Sequence, residues 1–157
     1  MLKAKHIAIL LVEPQFADRM RAMTTVIDLT AELAKLKMLQ GRTPQTTSDQ
    51  RAGTSAELAA YRDSALFTSK FSGLGAWERH PNGDELVYII DGAATLDIAA
   101  EGEKPRSIAV GAGTLAIVPQ GAWHRFRSPD GVTLMTATPR PSEHIRTDTD
   151  DPWSAAP

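Results

Sequence analysis

Cysteine is absent from the chain, which removes a disulfide framework, a thiolate zinc site and a cysteine nucleophile together. A basic excess is also missing: 17 Lys and Arg stand against 19 Asp and Glu, a net charge of −2. Binding to nucleic acid by phosphate neutralisation is therefore not expected. Long apolar runs are lacking too. The run Ile7 to Val12, behind Lys3 and Lys5 and ahead of Pro14, is too short for a signal-peptide core and far short of the ~20 residues that span a membrane. It reads as a short strand or an ordered arm, so no membrane partner is expected and the default location is cytoplasmic. Glycine is scarce in the first half, where only Gly41 and Gly53 of the 11 precede residue 73.

What is present is the material of one globular domain spanning 1–157. The chain is 42% hydrophobic and 23% charged, and 157 residues suffice to bury roughly two thirds of the unfolded surface. From Gly73 onward a glycine recurs about every ten residues, and short runs rich in β-branched and aromatic residues lie between: 86–90, 94–99, 114–119 and 132–138. That spacing predicts an all-β sandwich or barrel rather than βαβ units. Asp91-Gly92 within "IIDGAA" predicts a tight hairpin turn. Ahead of residue 73 the period differs. Leu29, Leu33 and Leu36, with Asp28 or Thr30 as N-cap and Gly41 as stop, predict a helix over 30–40. Thr54 and Glu57 form a capping box that predicts a second helix near 55–62. Thus 1–62 reads as an N-terminal arm and helices with a mobile loop at 42–53, 65–140 as the barrel, and the acidic 147–157 as a tail that frays.

Two segments carry chemistry. In 75–92, a strand at 75–80 would set Glu78 and His80 on one face, since strand side chains alternate. After Pro81-Asn82-Gly83 a second strand would carry Glu85 with Val87 and Ile89. Carboxylates among apolar residues are costly unless paired or bound to a cation. In 113–128 a strand, a Pro119-Gln120-Gly121 turn and a further strand bring in His124, with Phe126 on the same face. Asp84 is expected to face solvent or cap the turn, and His6 and His144 to be surface or packing residues. Trp77, Arg79, Tyr88, Trp123, Arg125 and Arg127 fall on the opposite faces, where Trp–Arg stacking would cover the sheet back or an interface. An isologous homodimer burying exposed Trp77, Tyr88 and Trp123, or the run 6–12, is the expected assembly. Neither a complete glycine-rich nucleotide loop nor a Gly-x-Ser-x-Gly elbow occurs.

The two segments resemble the two motifs of the cupin family. Glu78-x-His80, four residues, Glu85, six residues, Gly92 is similar to the first motif, with Glu78 where that family has its first histidine. Gly113, five residues, Pro119-x-Gly121, two residues, His124 is similar to the second, with Ser128 where asparagine is usual. The resemblance implies a double-stranded β-helix (jelly-roll) barrel whose mouth holds a divalent metal ion on Glu78, His80, Glu85 and His124. Two imidazoles and two carboxylates would leave a divalent ion formally neutral and suit Mn, Fe, Ni or Zn. If Glu78 does not coordinate, the remaining two-histidine, one-carboxylate face still suffices, and Glu78 is free as a catalytic base. The competing reading is a cupin without metal, its histidines hydrogen-bonded in the core. The resemblance further implies a small-molecule ligand or substrate. Two functions stay open: a metalloenzyme of dioxygenase, isomerase or lyase type, and a non-catalytic small-molecule-binding or sensing module. Phe67, Phe71, Val87, Ile117 and Phe126 are the candidate pocket lining.

Overall fold

The computed structural model describes residues 24–155, so the run at 6–12 and His6 lie outside the described residues. Nine strands run between two short helices: α1 (Leu29–Ala34), β1 (Leu39–Arg42), β2 (Ser55–Tyr61), β3 (Ser64–Leu74), β4 (Trp77–Arg79), β5 (Glu85–Ala99), β6 (Arg106–Gly111), β7 (Leu115–Val118), β8 (Trp123–Pro139), β9 (Glu143–Ile145) and α2 (Pro152–Ala155). This is the jelly-roll architecture, with all pairings antiparallel except that of β1 with β3.

Two long strands, β5 and β8, organise the barrel. Leu86–Gly92 pairs with Val132–Ala137, and after a bulge Thr95–Ala99 pairs with Trp123–Arg127. The other edge of β5 takes β7 along Glu85–Tyr88 and β6 along Ala93–Ile98. Alternation decides what faces inward: Glu85, Val87 and Ile89 are buried while Leu86, Tyr88 and Ile90 are half-buried. The main core gathers around Phe71, Val87, Ile89, Leu96, Phe126 and Leu134.

Four expectations are corrected here. Asp91-Gly92 is not a hairpin but a bend inside the continuous β5. Gly92 has φ +75°, and a Cβ there would collide with the Gly131 carbonyl oxygen, so the positive φ serves a bulge between two strands that both continue. The helix at 30–40 stops at Ala34: Asp28 caps it through Ala31 N–H (3.0 Å), but 39–42 leave to pair with β3. The segment at 55–62 is strand β2, because Ser55–Tyr61 finds a partner in β3, and tertiary pairing overrides the capping box. Thr54 instead turns its hydroxyl to the Arg51 carbonyl (2.8 Å).

The fourth correction concerns the C-terminus. Among the described residues the tail does not fray but covers the sheet back. Trp77 and Trp123 are 1% exposed, clustered with Ala99, Ile145 and Trp153. Trp77 Nε1 donates to the Thr149 carbonyl (2.8 Å) and Trp153 Nε1 to the Ala99 carbonyl (3.1 Å). Arg125 stacks on Trp77 (4.5 Å) and Arg79 on Trp123 (4.8 Å), so the Trp–Arg pairs do cover the sheet back. Within the single chain the tail already buries these tryptophans. The exposed large apolar residues on the strands are Tyr61, Ile108, Leu115 and Ile117. No described helix is long and apolar enough to cross a membrane.

Candidate metal centre

The turn from β4 to β5 and the turn from β7 to β8 close one end of the barrel together. Gly121 N–H donates to the His80 carbonyl (3.0 Å), and Gln120 N–H donates to Asp84 Oδ1 (2.8 Å), so Asp84 caps the turn as expected. These links set His80, just past β4, beside Glu85 at the start of β5 and His124 at the start of β8. All three are buried: His80 is 2%, Glu85 3% and His124 0% exposed.

Their ligand atoms lie within 4.8 Å of one another. His124 Nε2 is 2.9 Å from Glu85 Oε2, and His80 Nε2 is 3.5 Å from Glu85 Oε1. The far side of each group is held. His124 Nδ1 faces the Ala122 carbonyl (3.4 Å), His80 Nδ1 hydrogen-bonds Ser142 Oγ (3.1 Å), and Thr138 Oγ1 donates to Glu85 Oε1 (2.5 Å). Such outer contacts select the tautomer and aim each Nε2 inward, as metal-ligating imidazoles require. His80 Nε2 is buried and makes no hydrogen bond among the described residues. An orphaned, inward-aimed imidazole nitrogen beside a carboxylate is what a divalent cation would satisfy, so the residues fit such an ion.

Glu78 stands at the rim. In β4 it pairs with His124 of β8 on one side and with His144 of β9 on the other. Its Oε1 is 3.7 Å from His124 Nε2 and its Oε2 is 3.3 Å from His144 Nε2, with a quarter of the side chain exposed. Strand pairing therefore threads a carboxylate between two imidazoles. His144, expected as a surface or packing residue, is about a third exposed and reaches this carboxylate. It lies in a three-residue strand whose partner is set by a distant segment, and nothing near it in sequence signals the contact.

The electrostatics suit a cation. Burial alone would raise the Glu85 carboxyl, but the hydrogen bond from His124 and the nearby imidazoles of His124 and His80 outweigh it and hold the group down at about 2. For His124, burial would lower the imidazole, yet the Glu85 hydrogen bond and the charges of Glu85 and Glu78 push it above its ordinary value. Burial would likewise raise Glu78, but the contact with His144 and the charge of His124 bring it below the usual carboxylate range. Lowered carboxyls thus face an imidazole whose proton they favour, a charge arrangement that also suits a cation.

A cavity of about 240 Å³ opens onto these groups. Its wall includes Glu78 and Glu85, the apolar Phe67, Phe71 and Phe126, and the cationic Arg42 and Arg51. Of the expected lining, Val87 is buried in the core and Ile117 is 52% exposed, so neither faces the cavity. The Arg42 end of β1 is held by a close approach: a Cβ at Gly73, whose φ is +102°, would collide with the Arg42 backbone.

Residues 67–136 match the family described as Cupin domain. Among solved structures, a cupin-2 domain containing protein from Shewanella frigidimarina superposes with a TM-score of 0.53 at 21% identity, covering 73% of this chain and 95% of that one. A Neisseria meningitidis protein gives a TM-score of 0.54 at 22% identity, covering 73% and 98%. A conserved Streptococcus pyogenes protein of unknown function gives 0.50 at 17% identity, covering 74% and 89%. No curated protein matches the chain.

Proposed function

We propose, from the premise that this chain carries a cupin domain, that it binds a divalent metal ion through His80, Glu85 and His124, with Glu78 completing the set. The ion would serve a small molecule held in the adjoining cavity. The observation that carries this reading is the buried, unpartnered His80 Nε2 aimed at the Glu85 carboxylate. Two imidazoles and two carboxylates favour Mn, Fe, Ni or Zn over a soft monovalent ion. Bound there, a divalent ion supplies Lewis acidity or redox chemistry toward an oxygen-bearing ligand, which suits a dioxygenase, isomerase or lyase. The protein's part is to exclude water with Phe67, Phe71 and Phe126 and to fix the Glu85 carboxylate through Thr138. Metal analysis of protein purified without chelator tests the reading; His80→Ala and His124→Ala should each strip the metal.

A second reading of Glu78 is favoured by His144. The three buried groups converge without Glu78, and its second oxygen is engaged by an imidazole that is about a third exposed. In that arrangement Glu78 takes a proton from the ligand and His144 stands between it and solvent. A non-catalytic sensing module would keep the centre and the cavity but have no use for this proton path. Turnover that depends on Glu78 separates the enzyme from the module.

A further inference from the structure

We infer that the ligand of this cavity is a small organic acid, its carboxylate held by Arg42 and Arg51 while its other end faces the histidine–glutamate centre. The inference rests on reading the cavity as the ligand pocket of that centre. Its starting point is a charge imbalance. Three cationic side chains line the cavity: Arg42, Arg51 and Lys70. Lys70 is engaged, since its Nζ donates to the Leu33 carbonyl at the end of α1 (2.7 Å). The acids on the wall, Glu78 and Glu85, are engaged by imidazoles. Among the described residues no hydrogen bond or ion pair reaches either guanidinium, and Arg51 Nε is buried without a partner.

Arg42 Cζ sits over the Phe71 ring, 4.7 Å from its centroid, a contact that uses none of its N–H groups. It feels the charges of both Glu78 and Arg51, so the three groups share one electrostatic neighbourhood. Two like charges lining one cavity repel, and the half-buried pair, with Arg51 Nε buried, is costly unless an anion offsets them. Their planar forks match a carboxylate by paired N–H donors. The rest of the ligand follows from the walls. Phe67, Phe71 and Phe126 ask for an apolar body, and about 240 Å³ is below the usual range of drug-sized pockets, which limits that body to roughly one ring or a short chain. The sequence motifs carry no hint of this, because Arg42 and Arg51 lie on β1 and the following loop, outside both.

Calorimetric titration with benzoate and with its neutral isostere benzamide tests the inference, each on metal-loaded and chelator-treated protein, beside a titration with Mn²⁺ alone. Benzoate should bind at least about tenfold more tightly than benzamide, by the strength of charge-assisted hydrogen bonds. The double variant Arg42→Met, Arg51→Met keeps the contact with Phe71 and should lose benzoate affinity about 10- to 100-fold. Arg42→Lys should keep part of it. Benzamide binding should not change, and Mn²⁺ affinity should hold or tighten because positive charge has been removed. No benzoate binding by the unaltered protein, equal binding of the two probes, or undiminished benzoate binding by the double variant would overturn the inference. Arginine-dependent benzoate binding without any Mn²⁺ binding would instead overturn the metal reading and leave the acid site standing.

Discussion

Loading the chelated protein with a divalent ion should raise its melting temperature, and the size of the effect follows from linkage. A ligand present at a hundredfold its dissociation constant and bound only by the folded state adds about 2.7 kcal/mol. For a domain of this size one kcal/mol shifts the midpoint by about 2–4 °C, so the expected rise is about 5–10 °C. The structure also dictates how that rise varies with pH. Without metal, the Glu85 carboxylate beside His124 raises its folded-state value above 6.5. That contribution to stability is present below 6.5 and is lost as pH rises through the raised value. The metal competes with the same proton, so metal stabilisation should be small in mild acid and grow as the solution is made alkaline. Differential scanning calorimetry of chelated and loaded protein across this range measures both effects, with His80→Ala and His124→Ala abolishing the difference. A midpoint indifferent to metal, or a metal effect that shrinks as pH rises above 6.5, would refute the placement of the ion on these imidazoles.

Glu78→His should retain metal; if Glu78 is only a ligand, some activity should survive, whereas a lost base should reduce turnover by about 10²–10⁴ with metal content unchanged. Glu78→Gln assayed by metal analysis reads coordination directly, since loss on Gln with retention on His marks a ligand. The depressed Glu85 carboxyl predicts an acid limb in the chelated protein: its stabilising contribution is full above 4.5 and is lost as pH falls toward about 2. Glu85→Gln should flatten that limb in acid titrations followed by circular dichroism. Trp153→Ala should cost roughly 1–3 kcal/mol by removing the lid on Trp123 and the bond to the Ala99 carbonyl, seen as a lower urea midpoint and a red-shifted tryptophan emission.

Legibility of the fold was uneven for a physical reason. The runs at 86–90, 94–99 and 132–138 lie within strands and 114–119 contains β7, because glycine-spaced runs of β-branched and aromatic residues favour the pleated backbone. The segments before residue 65 misled. Leu29 to Ala34 is helical as its period says, but the chain leaves the helix before 39–42 pair with β3, and at 55–61 pairing with β3 outweighs a capping-box signal worth a few tenths of a kcal/mol per residue. Asp91-Gly92 misled differently. A positive φ at glycine is compatible with a hairpin or a bulge, and only the length of β8 alongside chooses the bulge.

For the candidate site, alternation in the sequence marked which side chains share a face, Glu85 with Val87 and Ile89 and His124 with Phe126, and the family resemblance named the set. Their meeting at one end of the barrel comes from the pairing of β8 with β4 and β5. Only the tertiary structure decided what stands next to them. His144 reaches Glu78 because β9 pairs with β4, and Arg42 and Arg51 face the cavity because β1 crosses Gly73 on its way to the loop. The tail from Thr149 to Trp153 seals Trp77 and Trp123 although its own composition is acidic and proline-bounded. Each of these depends on contacts between segments far apart in the chain. No periodicity records such contacts, since it reports only whether a residue is buried and not which residue buries it.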